Sequence, residues 1–158
     1  MNYTKMNYTK INYTQVETMA FQLSLQLQAL EEKGFGVLYL QPSNITMVDE
    51  GEGEGKKNKY LLMHLDQCLP LQKKNASSIS INYLPTAPFP KDCCAPELLQ
   101  MNALPCIVNK SVSYYSLGLL CLNALGCSTL DELRGTKLFY FLERCMKENP
   151  SDRINLHF

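Results

Sequence analysis

The chain has 158 residues, of which 46% are hydrophobic, and its basic and acidic side chains balance at 15 each. That length allows one domain with its own core, and a formal charge of zero supplies no long-range field to draw nucleic acid or an anionic membrane. Recognition is therefore expected at a local surface, with protein partners, no nucleic acid and no membrane; with no apolar run of spanning length and no signal-peptide core, the expected compartment is cytoplasmic or nuclear.

The chain opens on MNYTKMNYTKINYTQ, a five-residue unit used three times. A period of five matches neither helix nor strand, so it cannot keep one face apolar. Residues 1–15 are expected to be a flexible extension, and residues 16–158 the domain. Tyr3, Tyr8 and Tyr13 are candidate adhesive anchors within the repeat. The Asn-x-Ser/Thr sequences at Asn2, Asn7, Asn12, Asn44, Asn75 and Asn109 read as repeat and chance in a chain with no secretory signal.

Val16, Met19, Ala20, Leu23, Leu27 and Leu30 fall at helical spacing, and Gly34 follows as the stop. Two short extended runs come next, Gly36 to Leu40 and Ile45 to Val48, joined through Pro42-Ser43-Asn44. The acidic glycine stretch DEGEGEGKKNK predicts a hairpin connection to a strand at Tyr60 to Met63. From Gln72 to Lys91 the text is rich in Lys, Asn, Ser and Pro and reads as an irregular loop.

Tyr114 to Leu125 is a nearly wholly apolar helix, too short for a membrane and suited to the buried centre. Ser128 to Asp131 resembles a capping box before a short helix. A last amphipathic helix spans Thr136 to Lys147 and stops at Asn149-Pro150. The seven cysteines are odd in number, form no CxxC pair and mostly sit in apolar text, which points to reduced, packed thiols rather than a metal site. The adjacent Cys93 and Cys94 are expected to pack rather than to bridge.

Five segments, in order, resemble the C-terminal lobe of a eukaryotic protein kinase. LQALEEKGFGVLYLQPSN resembles the helix and catalytic loop, and YLLMHLDQC the strand and Asp-Phe-Gly motif. CCAPELL contains the full Ala-Pro-Glu; SVSYYSLGLL is similar to the Asp-Val-Trp-Ser-Leu-Gly helix start, and LERCMKENPSDR to the last helix with its Pro-x-x-Arg. The resemblance covers roughly Val16 to Phe158. It implies a mainly α fold with short β-hairpins, C-lobe-like, with the N-lobe absent.

It also implies that the chemistry has gone. His-Arg-Asp corresponds to Val37-Leu38-Tyr39, so Tyr39 stands where the family has an aspartate, and a phenol is no carboxylate base near neutral pH. Gln41 replaces the family's lysine, while Pro42 and Asn44 persist; Asn44 alone cannot hold Mg²⁺, and a turn with side-chain-to-backbone bonds is the plainer role for the pair. For Asp-Phe-Gly two registers exist. One reads His64-Leu65-Asp66 and keeps an apolar residue in the middle; the other starts at Asp66 and puts Gln67 in the apolar slot, which packing disfavours. His64 by itself reads as an ordinary histidine rather than a ligand.

No GxGxxG occurs, and no cofactor, metal or ATP is expected. Glu97 and Arg153 correspond to a structural ion pair of the family, and Ser113 replaces the aspartate that braces its catalytic loop. The implied function is a catalytically inactive, pseudokinase-like scaffold or subunit of a larger assembly. Its candidate partner surface is Leu38, Tyr39 and Leu65, with the repeat tyrosines. The alternative is a truncated or split kinase fragment completed by another chain. The kinase non-catalytic C-lobe domain, KIND, is a looser match.

Overall fold

Asn2–Lys5 of the repeat form a short strand, β1, and Asn12 of its third unit opens the first helix, α1 (Tyr13–Glu32). The computed structural model describes residues 2–5, 11–51, 53–54, 57–83 and 87–155, so Tyr8 lies outside the described residues, as does the side chain of Tyr3. Asn12 Oδ1 accepts from the Gln15 amide at 2.9 Å, and Gln15 Oε1 accepts from the Asn12 amide at 2.9 Å. That reciprocal pair satisfies two amides that a helix start otherwise leaves unbonded. Tyr13, Thr14 and Gln15 are therefore the first turn of a helix and not the end of an extension. Tyr13 packs against the core and donates its hydroxyl to Glu17 at 2.9 Å.

The apolar stripe of α1 is buried at Val16, Met19, Ala20, Leu23 and Leu27. The helix ends where Gly34, at φ +90°, turns the chain, a backbone position that favours glycine because a Cβ would crowd the carbonyl.

Two antiparallel ladders follow. Strand β2 (Phe35–Val37) will later pair with β5 (Cys68–Pro70). Between them lies the hairpin of β3 (Ile45–Glu50) and β4 (Lys57–Leu62), in register from Ile45 opposite Leu62 to Glu50 opposite Lys57. Strand β1 adds to the other edge of β3, with Asn2 opposite Asp49 and Lys5 opposite Thr46. A four-residue edge strand is held by main-chain bonds, so the five-residue repeat does not prevent it.

The free edge of β4 is met by α1. Gln22 Oε1 accepts from the Tyr60 amide at 2.7 Å, and Gln26 accepts from the Leu62 amide at 2.9 Å while donating to the Tyr60 carbonyl at 2.8 Å. These two glutamines complete the backbone pairing that another strand would otherwise have to supply.

The segment from Gln72 to Lys91, expected to be irregular, contains β6 (Ser78–Ile81), paired antiparallel with β7 (Cys106–Asn109). Ile79 and Ile81 alternate with serines and point into a core, but their partner strand lies far along the chain, beyond the reach of local pattern. The helix α2 (Pro96–Leu99) is one turn at Ala-Pro-Glu. Helix α3 (Val112–Leu125) stops at Gly126, and α4 (Lys137–Cys145) starts at Thr136, whose hydroxyl accepts from the Phe139 amide at 3.1 Å. The capping-box stretch gives a 3₁₀ turn over Leu130–Leu133 rather than an α-helix, with Glu132 accepting from the Ser128 and Thr129 amides.

Four α-helices and three small antiparallel sheets make the described chain a mixed α/β structure, a correction to the mainly α expectation. Helix α3 lies between two cores. One unites α1, α3, α4 and the β2 to β4 strands; the other gathers Leu38, Ile79, Ile81, Cys94, Ala95, Leu98, Val108 and Val112. That position explains its lack of a polar face. Among the described residues no helix is long and apolar enough to cross a membrane.

Candidate functional site

Pro42, with φ preset by its ring, starts a 3₁₀ turn over Pro42–Asn44 that ends β2's loop and aims the Asn44 side chain inward. Asn44 is 6% exposed. Its Oδ1 accepts from the Gln41 amide and from Gln67 Nε2, both at 3.0 Å. Its Nδ2 donates to the His64 carbonyl at 2.9 Å and, more weakly, to the Met63 carbonyl at 3.5 Å. A primary amide has two lone pairs and two hydrogens, so its capacity is filled. Asn44 thus joins the Leu38–Asn44 loop to the His64–Gln67 turn, and no Oδ1 lone pair is left for a cation.

The two segments are stitched further by the Leu38 amide to the Gln67 carbonyl at 3.1 Å and by Gln67 Nε2 to the Tyr39 carbonyl at 2.6 Å. Gln67 was the residue that made the second register unattractive. Here its Nε2 donates to two acceptors of the Leu38–Asn44 loop, the Tyr39 carbonyl and Asn44 Oδ1, which offsets the cost of partly burying the donor. Sequence reasoning gave Gln67 no role, since its partners, the Tyr39 carbonyl and Asn44 Oδ1, lie more than twenty residues away.

Tyr39 projects from the loop towards Phe89, ring centroids 5.9 Å apart and edge to face. Burial, with Cys94 close by, pushes its phenol above the usual tyrosine value, while the Gln41 side chain bonds to it and pulls the other way. The phenol is therefore held protonated and cannot serve as a base near neutral pH. Tyr39, Leu38, Leu69, Ile81 and Phe89 wall a cavity of about 370 Å³, and Asp66 and Gln67 stand on its rim.

The expected partner surface is divided. Leu38 is 5% exposed, belongs to the second core and shows only a cavity wall. Leu65 is half-buried against the first core and faces a separate cleft with Leu30 and Lys33. Of the three, Leu38 and Tyr39 line the cavity and Leu65 does not, while Tyr13 packs inward. His64 is exposed and sits at φ 56°, a left-handed conformation that histidine adopts more readily than most residues. Its carbonyl takes the Asn44 bond and also accepts from the Asp66 amide at 3.1 Å.

Further from the loop, Arg153 and Glu97 meet as a two-pronged ion pair, with N–O distances of 2.5 and 3.1 Å. The remaining guanidinium hydrogens go to the carbonyls of Lys147 at 2.7 Å, Glu148 at 3.3 Å and Ser111 at 3.5 Å. The Arg153 side chain is wholly buried, and its guanidinium carbon lies 4.8 Å from the Tyr115 ring centre. A buried charge so completely bonded clamps α2 to the chain end.

Ser116 is a second clamp. Its hydroxyl accepts from the Leu40 amide at 2.7 Å and donates to the Cys93 carbonyl at 2.5 Å, tying the loop and the residues before α2 to α3. Ser113, by contrast, turns its hydroxyl to the Lys110 carbonyl at 3.0 Å, within its own helix start. All seven cysteines are free thiols. Burial and the Asp92 carboxylate push Cys93 up to about 12, and burial with Cys93 beside it does the same to Cys94, so neither is a nucleophile at neutral pH.

No protein-family model matches this chain, and no curated protein matches it either.

Proposed function

We propose that the chain is a catalytically inactive, kinase C-lobe-like module that works by binding a protein partner. The observation that carries this reading is Asn44. In a phosphotransfer site the loop asparagine and the aspartate opposite it must both offer oxygen to Mg²⁺. Here the asparagine offers its oxygen to Gln41 and Gln67, and its opposite neighbour is the main chain of His64.

Two further features support the reading. Tyr39 stands protonated where a base would be needed, and it borders a mainly apolar cavity. An apolar hollow with a polar rim is the kind of surface that takes a side chain from another molecule. The Ser116 bond to the Leu40 amide fixes the loop that carries Leu38 and Tyr39, two of the walls of that hollow.

The test uses the full chain. Calorimetric titration with MgATP is expected to give no saturable binding at millimolar nucleotide, and the melting temperature is expected not to move. Saturable binding, or transfer of phosphate to a generic peptide that a chelator abolishes, would overturn the proposal. Installing Tyr39→Asp with His64→Asp is expected to leave the chain without transfer, because Asn44 stays engaged.

A further inference from the structure

The cavity beside Tyr39 has a chemical bias that the partner-binding reading leaves open. Its walls are aliphatic and aromatic: Leu38, Tyr39, Leu69, Ile81 and Phe89. Beyond these and Pro70, the described lining is polar and neutral except for the carboxylate of Asp66, and among the described residues no lysine or arginine lines it. Asp66 is exposed and enters no ion pair or side-chain hydrogen bond with the described residues. It lies close enough to Tyr39 for its charge to act on the phenol. Tyr83, 86% exposed, stands at the opening.

We propose that this cavity receives an apolar or aromatic side chain from a partner protein in which a lysine or arginine lies next to that residue, the cation resting against Asp66. The proposal rests on the reading of the chain as a partner-binding module and names the partner's chemistry. Apolar walls favour a side chain that leaves water there. The lone carboxylate favours a cation and repels an anion. The electron-rich faces of the aromatic rings at the mouth act in the same direction. An acidic or purely apolar segment would leave Asp66 without a counter-charge on a surface that has been covered.

The experiment uses two blocked pentapeptides, one with phenylalanine between two lysines and one with phenylalanine between two glutamates. Each is titrated into the isotopically labelled full chain and followed by backbone NMR at low salt. The lysine peptide is expected to shift the amides of Tyr39, Asp66, Gln67 and Phe89 and to bind about tenfold more tightly than the glutamate peptide, since attraction is gained and repulsion avoided. The difference is expected to shrink with added salt.

Asp66→Asn, at an exposed position, is expected to reduce the preference to about twofold or less while the lysine peptide still binds. Tyr83→Ala is also safe for folding and is expected to weaken both peptides alike. Equal affinity for the two peptides, shifts confined to another surface, or no binding of either at millimolar concentration would overturn the proposal. None of those results would bear on MgATP, so a failure here is distinct from a failure of the non-catalytic reading.

Discussion

At the scale of single residues, the decisive fact is how completely two polar side chains are occupied. Asn44→Ala would leave the Gln41 amide, the His64 carbonyl and Gln67 without their shared partner. It is expected to lower unfolding free energy by about 2–3 kcal/mol in chemical denaturation. Asn44→Asp keeps the acceptors but removes both donors and sets a carboxylate against carbonyl oxygens, so it should be no better tolerated. If Asn44 were instead a metal ligand in waiting, the aspartate would be tolerated and would raise Mg²⁺ affinity. Glu97→Ala leaves Arg153 charged in a buried site and is expected to cost about 3–5 kcal/mol, towards the lower end because the Glu97 side chain is 24% exposed. Adding Arg153→Met to that variant should restore part of the loss, a non-additivity measurable by a double-mutant cycle. The residue types at these places and the turn bond from the Gln41 amide to Asn44 could be read from the text, but the other three groups that Asn44 binds could not, since they lie some twenty residues away.

At the scale of elements, the long helices and the β3 to β4 hairpin were legible, and the partners of β1, β2 and β6 were not. The apolar spacing of α1, the run of α3 and the stripe of α4 each carry their own evidence within a dozen residues, because helical hydrogen bonds are local. Gln22 and Gln26 of α1 lie outside its apolar stripe and close the edge of β4. Replacing both by alanine is expected to speed hydrogen exchange at the Tyr60 and Leu62 amides by an order of magnitude or more, while α1 itself keeps its helical content. Exchange unchanged at those amides would show that the edge is protected by something else. Strand β6 escaped notice because Ser-Ile-Ser-Ile is as compatible with a loop as with a strand until β7 lies beside it. The helix start moved from Val16 back to Tyr13 for a similar reason: Asn12 and Gln15 cap each other, a signal that the repeat obscured.

At the scale of the whole molecule, the cores hold four buried thiols, and three of them, Cys93, Cys94 and Cys145, are pushed up to about 12, chiefly by burial. The ordinary thiol value is 9.0. Below that pH both folded and unfolded chains keep these groups protonated, and the stabilisation is fully present. Above it only the unfolded chain ionises, so stability falls as the pH rises towards the folded value. Melting temperature is therefore expected to drop steadily from about pH 9 towards pH 11, and Cys145→Ala, which removes one of the three groups, should make the slope shallower. A flat profile over that range would mean that the thiols are not buried as described.

The text by itself determined the helices, the β3 to β4 hairpin, the thiol character of the cysteines and which residue types stand in the loop between β2 and β3. Those properties depend on local periodicity and on side-chain chemistry, and both travel with the sequence. Tertiary structure alone decided that Leu38 and Leu65 face different sides of the Asn44 junction, that Gln67 belongs to it, and that Tyr39, Ile81 and Phe89 enclose one cavity. Burial and hydrogen-bond partners are set by which distant segments come together, and a polar residue's role follows from the group it finds there.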